Sequence, residues 1–266
     1  MHVKLGWGTD PGLQRSENED SVLVWQDRAG VEVLLVVCDG MGGHAAGHLA
    51  STIASETFAT TLEKDGAGGP DTERLRRASA EANAAVHDAA TKNPAWAGMG
   101  STLTVVAVDK GELALVNVGD SPAWLFRGRE ARLISQDHSW PAEQVRLGII
   151  KPEEAKDHPM KHRLTRAVGI WDHIAAYTAR LELEAGDTVV LCSDGVETAG
   201  VSVEEMREML ASDLQEGIQR VIAKCRELGA PDNVSLAAIR VEGDKKAREK
   251  TQVMKTAVLR AVKTDR

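Results

Sequence analysis

Two segments of the chain are apolar almost without interruption and too short for buried helices: residues 31–38, VEVLLVVC, and 187–192, DTVVLC. Runs of this length, rich in β-branched residues, predict strands covered on both faces. Further strand patterns stand at 101–108 (STLTVVAV), 112–118 (ELALVNV), 122–127 (PAWLFR) and 234–241 (VSLAAIRV). Gly or charged turns separate several of them, and such short connections predict antiparallel pairing. After the first apolar run the period changes. HLASTIASETFATTL and TERLRRASAEANAAVHDAA repeat apolar residues every three or four positions and predict a helical pair across the loop KDGAGGPD, and a second pair is expected near 202–210 and 213–228. Strands and helices arriving in separate runs predict an α+β fold of two packed, mainly antiparallel sheets with helical pairs outside. A polar, proline-containing stretch at 140–163 interrupts the strand pattern and predicts a partly helical surface flap.

Composition narrows this picture. The 266 residues, 42% of them hydrophobic, suffice for one compact domain over 1–243. The net charge of -8 is uneven: residues 244–266 carry eight Lys/Arg against three Asp/Glu, leaving the body near -13. An acidic body disfavours nucleic acid and suits a site that collects cations. The tail places Val253, Met254, Ala257, Val258, Ala261 and Val262 at helical spacing and predicts a basic amphipathic helix, either packed on the body or docked to an acidic partner. Three cysteines, with Cys38 and Cys192 inside apolar runs, predict free thiols and a reducing, cytoplasmic setting. The segment MHVKLGWGTD has no apolar signal core, and no membrane span is expected.

Four acidic residues stand where a strand pattern begins or ends: Asp39, Asp120, Asp194 and Asp232. Each alone reads as a turn residue. Gathered at one rim of a sheet, they would repel one another unless protonated or bound to cations. Hard oxygen donors without paired Cys or His favour magnesium or manganese over zinc, and two such ions can activate a water for attack on phosphorus. Gly40, Gly42 and Ala45 also satisfy a dinucleotide-binding fingerprint, but the second parallel strand and its acidic residue are missing about 20 positions on.

The segments TDPGLQRSENEDS (9–21), VVCDGMGGHAAGHLAS (36–51), MGSTLTVVAV (99–108), VNVGDS (116–121), QDHS (136–139), LTRAVG (164–169), LCSDGV (191–196) and PDNV (231–234) follow one another in the order and spacing of the protein phosphatase 2C-like (PPM) family, which the chain resembles from about residue 5 to 241. The resemblance implies an αββα sandwich and a cytoplasmic signalling hydrolase. Its activity would be removal of phosphate from phosphoserine and phosphothreonine in proteins by a hydroxide bridging two Mn2+ or Mg2+ ions, with a weaker third ion. It implies that Asp39 bridges the pair, that the Gly40 carbonyl binds one ion, and that Asp194 and Asp232 bind the other. Glu19 and Asp20 would hold metal-bound waters, Asp120 would serve the third ion with Asp194, and Arg15 would grip phosphate in a bidentate fork. Expected partners are phosphorylated proteins, including a bacterial Ser/Thr kinase and its substrates, with the enzyme itself a monomer. Two positions depart from the family pattern: Met41 replaces a histidine that some relatives use as general acid, and Pro122 replaces an arginine. The general acid is therefore unassigned, with His44 expected to fix the loop and His138 to be structural. The alternative reading is a catalytically weak family member acting as a regulatory binding module.

Overall fold

The computed structural model describes residues 2–26, 32–43, 45–66 and 68–243, together with the pair 257–258. Twelve strands are present among them: β1 (His2–Asp10), β2 (Asp20–Gln26), β3 (Glu32–Met41), β4 (Gly100–Ser101), β5 (Leu103–Asp109), β6 (Glu112–Val118), β7 (Ala123–Arg127), β8 (Glu130–Leu133), β9 (Tyr177–Glu182), β10 (Thr188–Cys192), β11 (Val234–Glu242) and β12 (Ala257–Val258). The α-helices are α1 (Ala45–Asp65), α2 (Thr72–Lys92), α3 (Trp140–Arg146), α4 (Pro152–Lys156), α5 (Gly195–Thr198), α6 (Val203–Leu210) and α7 (Leu214–Glu227).

The strands form two sheets, ordered β1-β11-β10-β7-β8 and β12-β2-β3-β5-β6-β9, with β4 beside β3. Every pairing is antiparallel, as the short connections predict. Alternation along β3 explains its unbroken apolarity. Val33, Leu35 and Val37 face the seam between the sheets, where they join Val22, Val106, Val189, Leu191 and Ile239. Leu34, Val36 and Cys38 face outward into a layer with α1 and α2, represented by Ala50, Phe58 and Ala82. The other sheet is covered by α5, α6 and α7, which bury Val196, Met206, Leu210 and Ile218 against Val190, Leu236 and Ala238. A strand buried on both faces has no polar side, so it reads as a continuous apolar run.

The helix boundaries have local causes. Asp71 caps α2 by accepting the Glu73 N–H at 3.1 Å, and Ser202 with Glu205 forms a capping box on α6. Asp213 caps α7 by accepting the Glu216 N–H at 3.0 Å. In the flap, α3 and α4 each begin with proline in the first turn, where its missing N–H costs nothing.

The structure corrects the expectation for the tail at one point. Ala257–Val258 pair antiparallel with Val24 and Leu23 as a short strand; the remainder of the predicted basic helix lies outside the described residues. Among the described residues no helix is long and apolar enough to cross a membrane.

Candidate metal centre

The same alternation that fills the seam with valine and leucine delivers carboxylates to its rim. Val37 faces the seam, so Asp39, two residues on in β3, lies on that side, and Asp20 is its cross-strand partner in β2. From the opposing sheet, Asp194 follows β10 at the start of α5 and Asp232 precedes β11. Asp120 follows β6 after Gly119, whose φ of 100° and position 2.6 Å from Thr102 Cγ2, measured from an added Cβ, leave room for glycine alone. β3 runs two residues past Asp39, which therefore lies inside the strand rather than beyond its end.

The backbone that carries Asp39, Asp120 and Glu19 is held by neighbouring side chains. Thr102 fixes Asp39 from both sides of its peptide unit: its Oγ1 accepts the Asp39 N–H at 2.8 Å, and its own N–H donates to the Asp39 carbonyl at 2.8 Å. The Thr102 hydroxyl also meets Ser121 Oγ at 2.7 Å, linking the Asp39 strand to the Asp120 loop through buried hydroxyls. Asn233 ties the opposing side together. Its Oδ1 accepts the Glu19 N–H at 2.8 Å, and its Nδ2 donates to the Pro11 and Glu17 carbonyls, both at 2.9 Å. In the sequence Ser121 and Asn233 directly follow Asp120 and Asp232, whereas Thr102, in the MGST segment, adjoins no aspartate.

Gly40 and Gly195 are required by close backbone approach. A Cβ at Gly40 would stand 2.0 Å from the Gly47 carbonyl oxygen, and one at Gly195 would stand 1.8 Å from the Asn233 carbonyl oxygen. Glu19 reaches the same corner: its Oε2 lies 2.0 Å from where a Gly47 Cβ would be, and its carbonyl accepts the Ser51 hydroxyl at 2.5 Å.

The electrostatics are those of a crowded anionic rim. Burial raises Asp20 to about 7, and Asp194 and Asp232 push it further in the same direction. Neighbouring Ser193 and Ser235 pull Asp20 down, yet both of its buried oxygens lack a partner at hydrogen-bond geometry. Asp39 is raised well above the usual carboxylate range by burial and then by Asp20, Asp194 and Asp120. Burial with the Asp194 and Asp137 charges takes Asp120 to about 8. Asp194 is raised by burial and Asp232, a rise that a hydrogen bond with Asp39 and the nearby His162 partly offset.

Buried oxygens without donors, among carboxylates that raise one another, fit hard divalent cations. Among the described residues no three His, Cys, Asp or Glu side chains already close into a ready-made cage.

Arg15 stands at the rim, where its Nη2 donates to Asp232 Oδ2 at 2.7 Å. That contact raises the guanidinium pKa and offers a charged, half-exposed fork beside the carboxylates. His138 is buried, and its Nδ1 accepts the Gly119 N–H at 3.0 Å while its backbone N–H donates to the Gly119 carbonyl at 3.1 Å. Burial and then Arg166 hold its pKa down to about 4, so the ring is neutral at pH 7 and braces the Asp120 loop. Pro122 costs no ladder bond, since it precedes β7 and its carbonyl accepts the Cys192 N–H at 3.1 Å. Met41 is paired with Gly100 at the end of β3, and His44 lies outside the described residues.

Comparison with known proteins agrees with this architecture. The family model described as Protein phosphatase 2C matches residues 13–229. Protein phosphatase PhpP of Streptococcus pneumoniae is 34% identical over 242 residues, covering 87% of this chain and 94% of that protein. Serine/threonine protein phosphatase PstP of Mycobacterium tuberculosis is 38% identical over 229 residues, covering 86% of this chain and 43% of PstP. The solved catalytic domain of PstP in complex with two manganese ions superposes with a TM-score of 0.78 at 33% identity, covering 91% of this chain and 99% of that one.

Proposed function

The chain belongs to the protein phosphatase 2C family and is a divalent-metal-dependent protein serine/threonine phosphatase, and from that premise we propose how its own residues carry the reaction. Asp39, the Gly40 carbonyl, Asp194 and Asp232 would hold a pair of divalent ions, Glu19 and Asp20 would hold water bound to them, and Asp120 with Asp194 would serve a third, weaker ion. The observation that carries this reading is Asp20, whose two buried oxygens lack a partner at hydrogen-bond geometry within a rim of carboxylates that raise one another. Bound there, manganese or magnesium supplies a water of lowered pKa as nucleophile and positive charge for the phosphate oxygens.

Arg15 exchanges its Asp232 partner for the substrate phosphate, orienting it for in-line attack through a planar fork that lysine would not reproduce. Thr102, Ser121 and Asn233 hold the carboxylates in register, so little reorganisation accompanies the reaction. The serine or threonine oxygen leaves with a proton, and no side chain of this chain is assigned as its donor. We infer that the substrates are proteins phosphorylated by a serine/threonine kinase of the same cell, the kinase among them. The buried free thiols of Cys38, Cys192 and Cys225 support a reducing, cytoplasmic setting.

The closed Arg15–Asp232 ion pair favours one other reading, a silent regulatory module in which the arginine never releases its aspartate. Hydrolysis of a phosphothreonine peptide by wild type and Asp194→Asn, with manganese or with EDTA, separates the two. Manganese-dependent turnover that disappears in EDTA and in the variant supports the phosphatase mechanism. Folded, manganese-loaded wild type without turnover would leave the regulatory module standing.

A further inference from the structure

A cavity of about 410 Å³, open to solvent, extends from the carboxylate rim: its floor includes Asp120 and Asp194 and its outer wall is the flap. The flap is pinned at both ends: Trp140 N–H donates to the Arg163 carbonyl at 2.7 Å, and Ser139 bridges to Leu164. Within it the Trp140 and His158 rings approach to 4.9 Å. This folded wall presents Lys156, at the end of α4, together with Lys161 and His162 to the cavity. Neither lysine makes an ion pair among the described residues, although the cavity also contains Asp137 and Glu197.

We propose that Lys156 and Lys161, with His162 beside them, form a specificity wall that receives an anionic side chain flanking the phosphorylated serine or threonine of the substrate. The inference rests on the phosphatase reading above, because it requires cations to offset Asp120 and Asp194 on the floor. Asp137, one of whose oxygens accepts the Ser139 N–H at 2.6 Å, and Glu197 keep their charges on the inner side of the cavity, opposite the two unpaired ammonium groups of the flap wall. Because the cavity shares Asp120 and Asp194 with the rim, a peptide whose phosphate reaches the rim has flanking residues within reach of the flap wall. Glu, Asp or a second phosphorylated residue there would find charge complementarity, and Lys or Arg would meet like charge. Such exposed contacts act mainly on substrate affinity and fade with salt.

The test uses three phosphothreonine peptides that differ only in carrying Glu, Ala or Lys beside the phosphorylated residue, with p-nitrophenyl phosphate as a reference lacking flanks. For the full chain with manganese at low salt, the Glu peptide should show a KM about fivefold below that of the Lys peptide, with similar kcat. Raising the salt should shrink that gap. In the Lys156→Glu/Lys161→Glu variant the preference should vanish or invert, and in Lys156→Arg/Lys161→Arg it should persist. Equal KM values for all peptides, or a wild-type preference for Lys, would overturn the proposal. So would a charge-reversal variant that loses turnover of p-nitrophenyl phosphate and of every peptide in the same ratio. If wild type turned over none of these substrates, the phosphatase reading would fall and this inference with it.

Discussion

The middle of the seam between the two sheets and its rim are built by the same strands, yet they obey opposite rules. In the middle, Leu35, Val37, Val189, Leu191 and Ile239 interlock and are buried almost completely. At the rim, the next seam-facing positions of β2 and β3 are Asp20 and Asp39, and both are pushed toward protonation. The middle is satisfied by the protein itself. The rim is not, which is why it needs something the chain does not contain.

Substitutions at the two regions should therefore fail in different ways. The largest effect is expected for Asp39→Asn, which keeps the shape but removes the shared charge. Turnover of a phosphothreonine peptide should fall by about a thousandfold or more, while metal-free unfolding is no worse than wild type. Leu35→Ala reverses the pattern: urea unfolding should show a loss of about 3 kcal/mol, with the specific activity of the folded fraction largely kept. An Asp39→Asn chain that stays fully active, or a Leu35→Ala chain that stays as stable as wild type, would erase the distinction between rim and seam.

Much of the seam was legible in the sequence, because β3, β5, β6, β7, β10 and β11 are apolar runs of strand length, and α1, α2, α6 and α7 keep helical periodicity. The strands β1, β8 and β9 were not. They are partly exposed edge or near-edge elements whose mixed residues, such as EARL in β8, carry no apolar run. β2 is buried but was hidden inside the acidic segment that precedes it. The aspartates at 39, 120, 194 and 232 were visible as strand-end acids, whereas Arg15, Glu19 and Asp20 came only through family resemblance. The anchors Thr102, Ser121 and Asn233 were missed as such, because a hydroxyl or amide that orients a neighbour leaves no periodic or compositional mark.

A smaller effect probes the brace under the rim. His138→Ala removes the acceptor of the buried Gly119 N–H and should cost about 2 kcal/mol in urea unfolding. It should also weaken the dependence of turnover on the third ion proposed at Asp120, since Asp120 follows Gly119 directly. Loss of stability with the metal titration of activity unaltered would confine His138 to folding.

The subtlest sharpening comes from pH. Asp20 and Asp120 have folded pKa values of about 7 and about 8 against 3.8 in the unfolded chain, so the folded state holds protons that the unfolded state has released. Their contribution to metal-free stability is present below pH 3.8 and is lost as pH rises through those folded values. His138 acts oppositely: its neutral form is favoured on folding, so its contribution is lost as pH falls from 6.5 through about 4. Manganese should therefore raise the melting temperature more at pH 7.5 than at pH 5.5, by a difference of about 5 °C. An equal rise at both values would mean that the rim carboxylates are not the groups the metal meets.

The most direct measurement is calorimetric titration of manganese into the metal-free chain near pH 7, repeated in buffers of different ionisation enthalpy and with Asp39→Asn. The account predicts two tightly bound ions, protons released into the buffer as the raised carboxyls ionise, and loss of the tight binding in the variant. Binding without proton release that survives Asp39→Asn, or no binding at all, would contradict it.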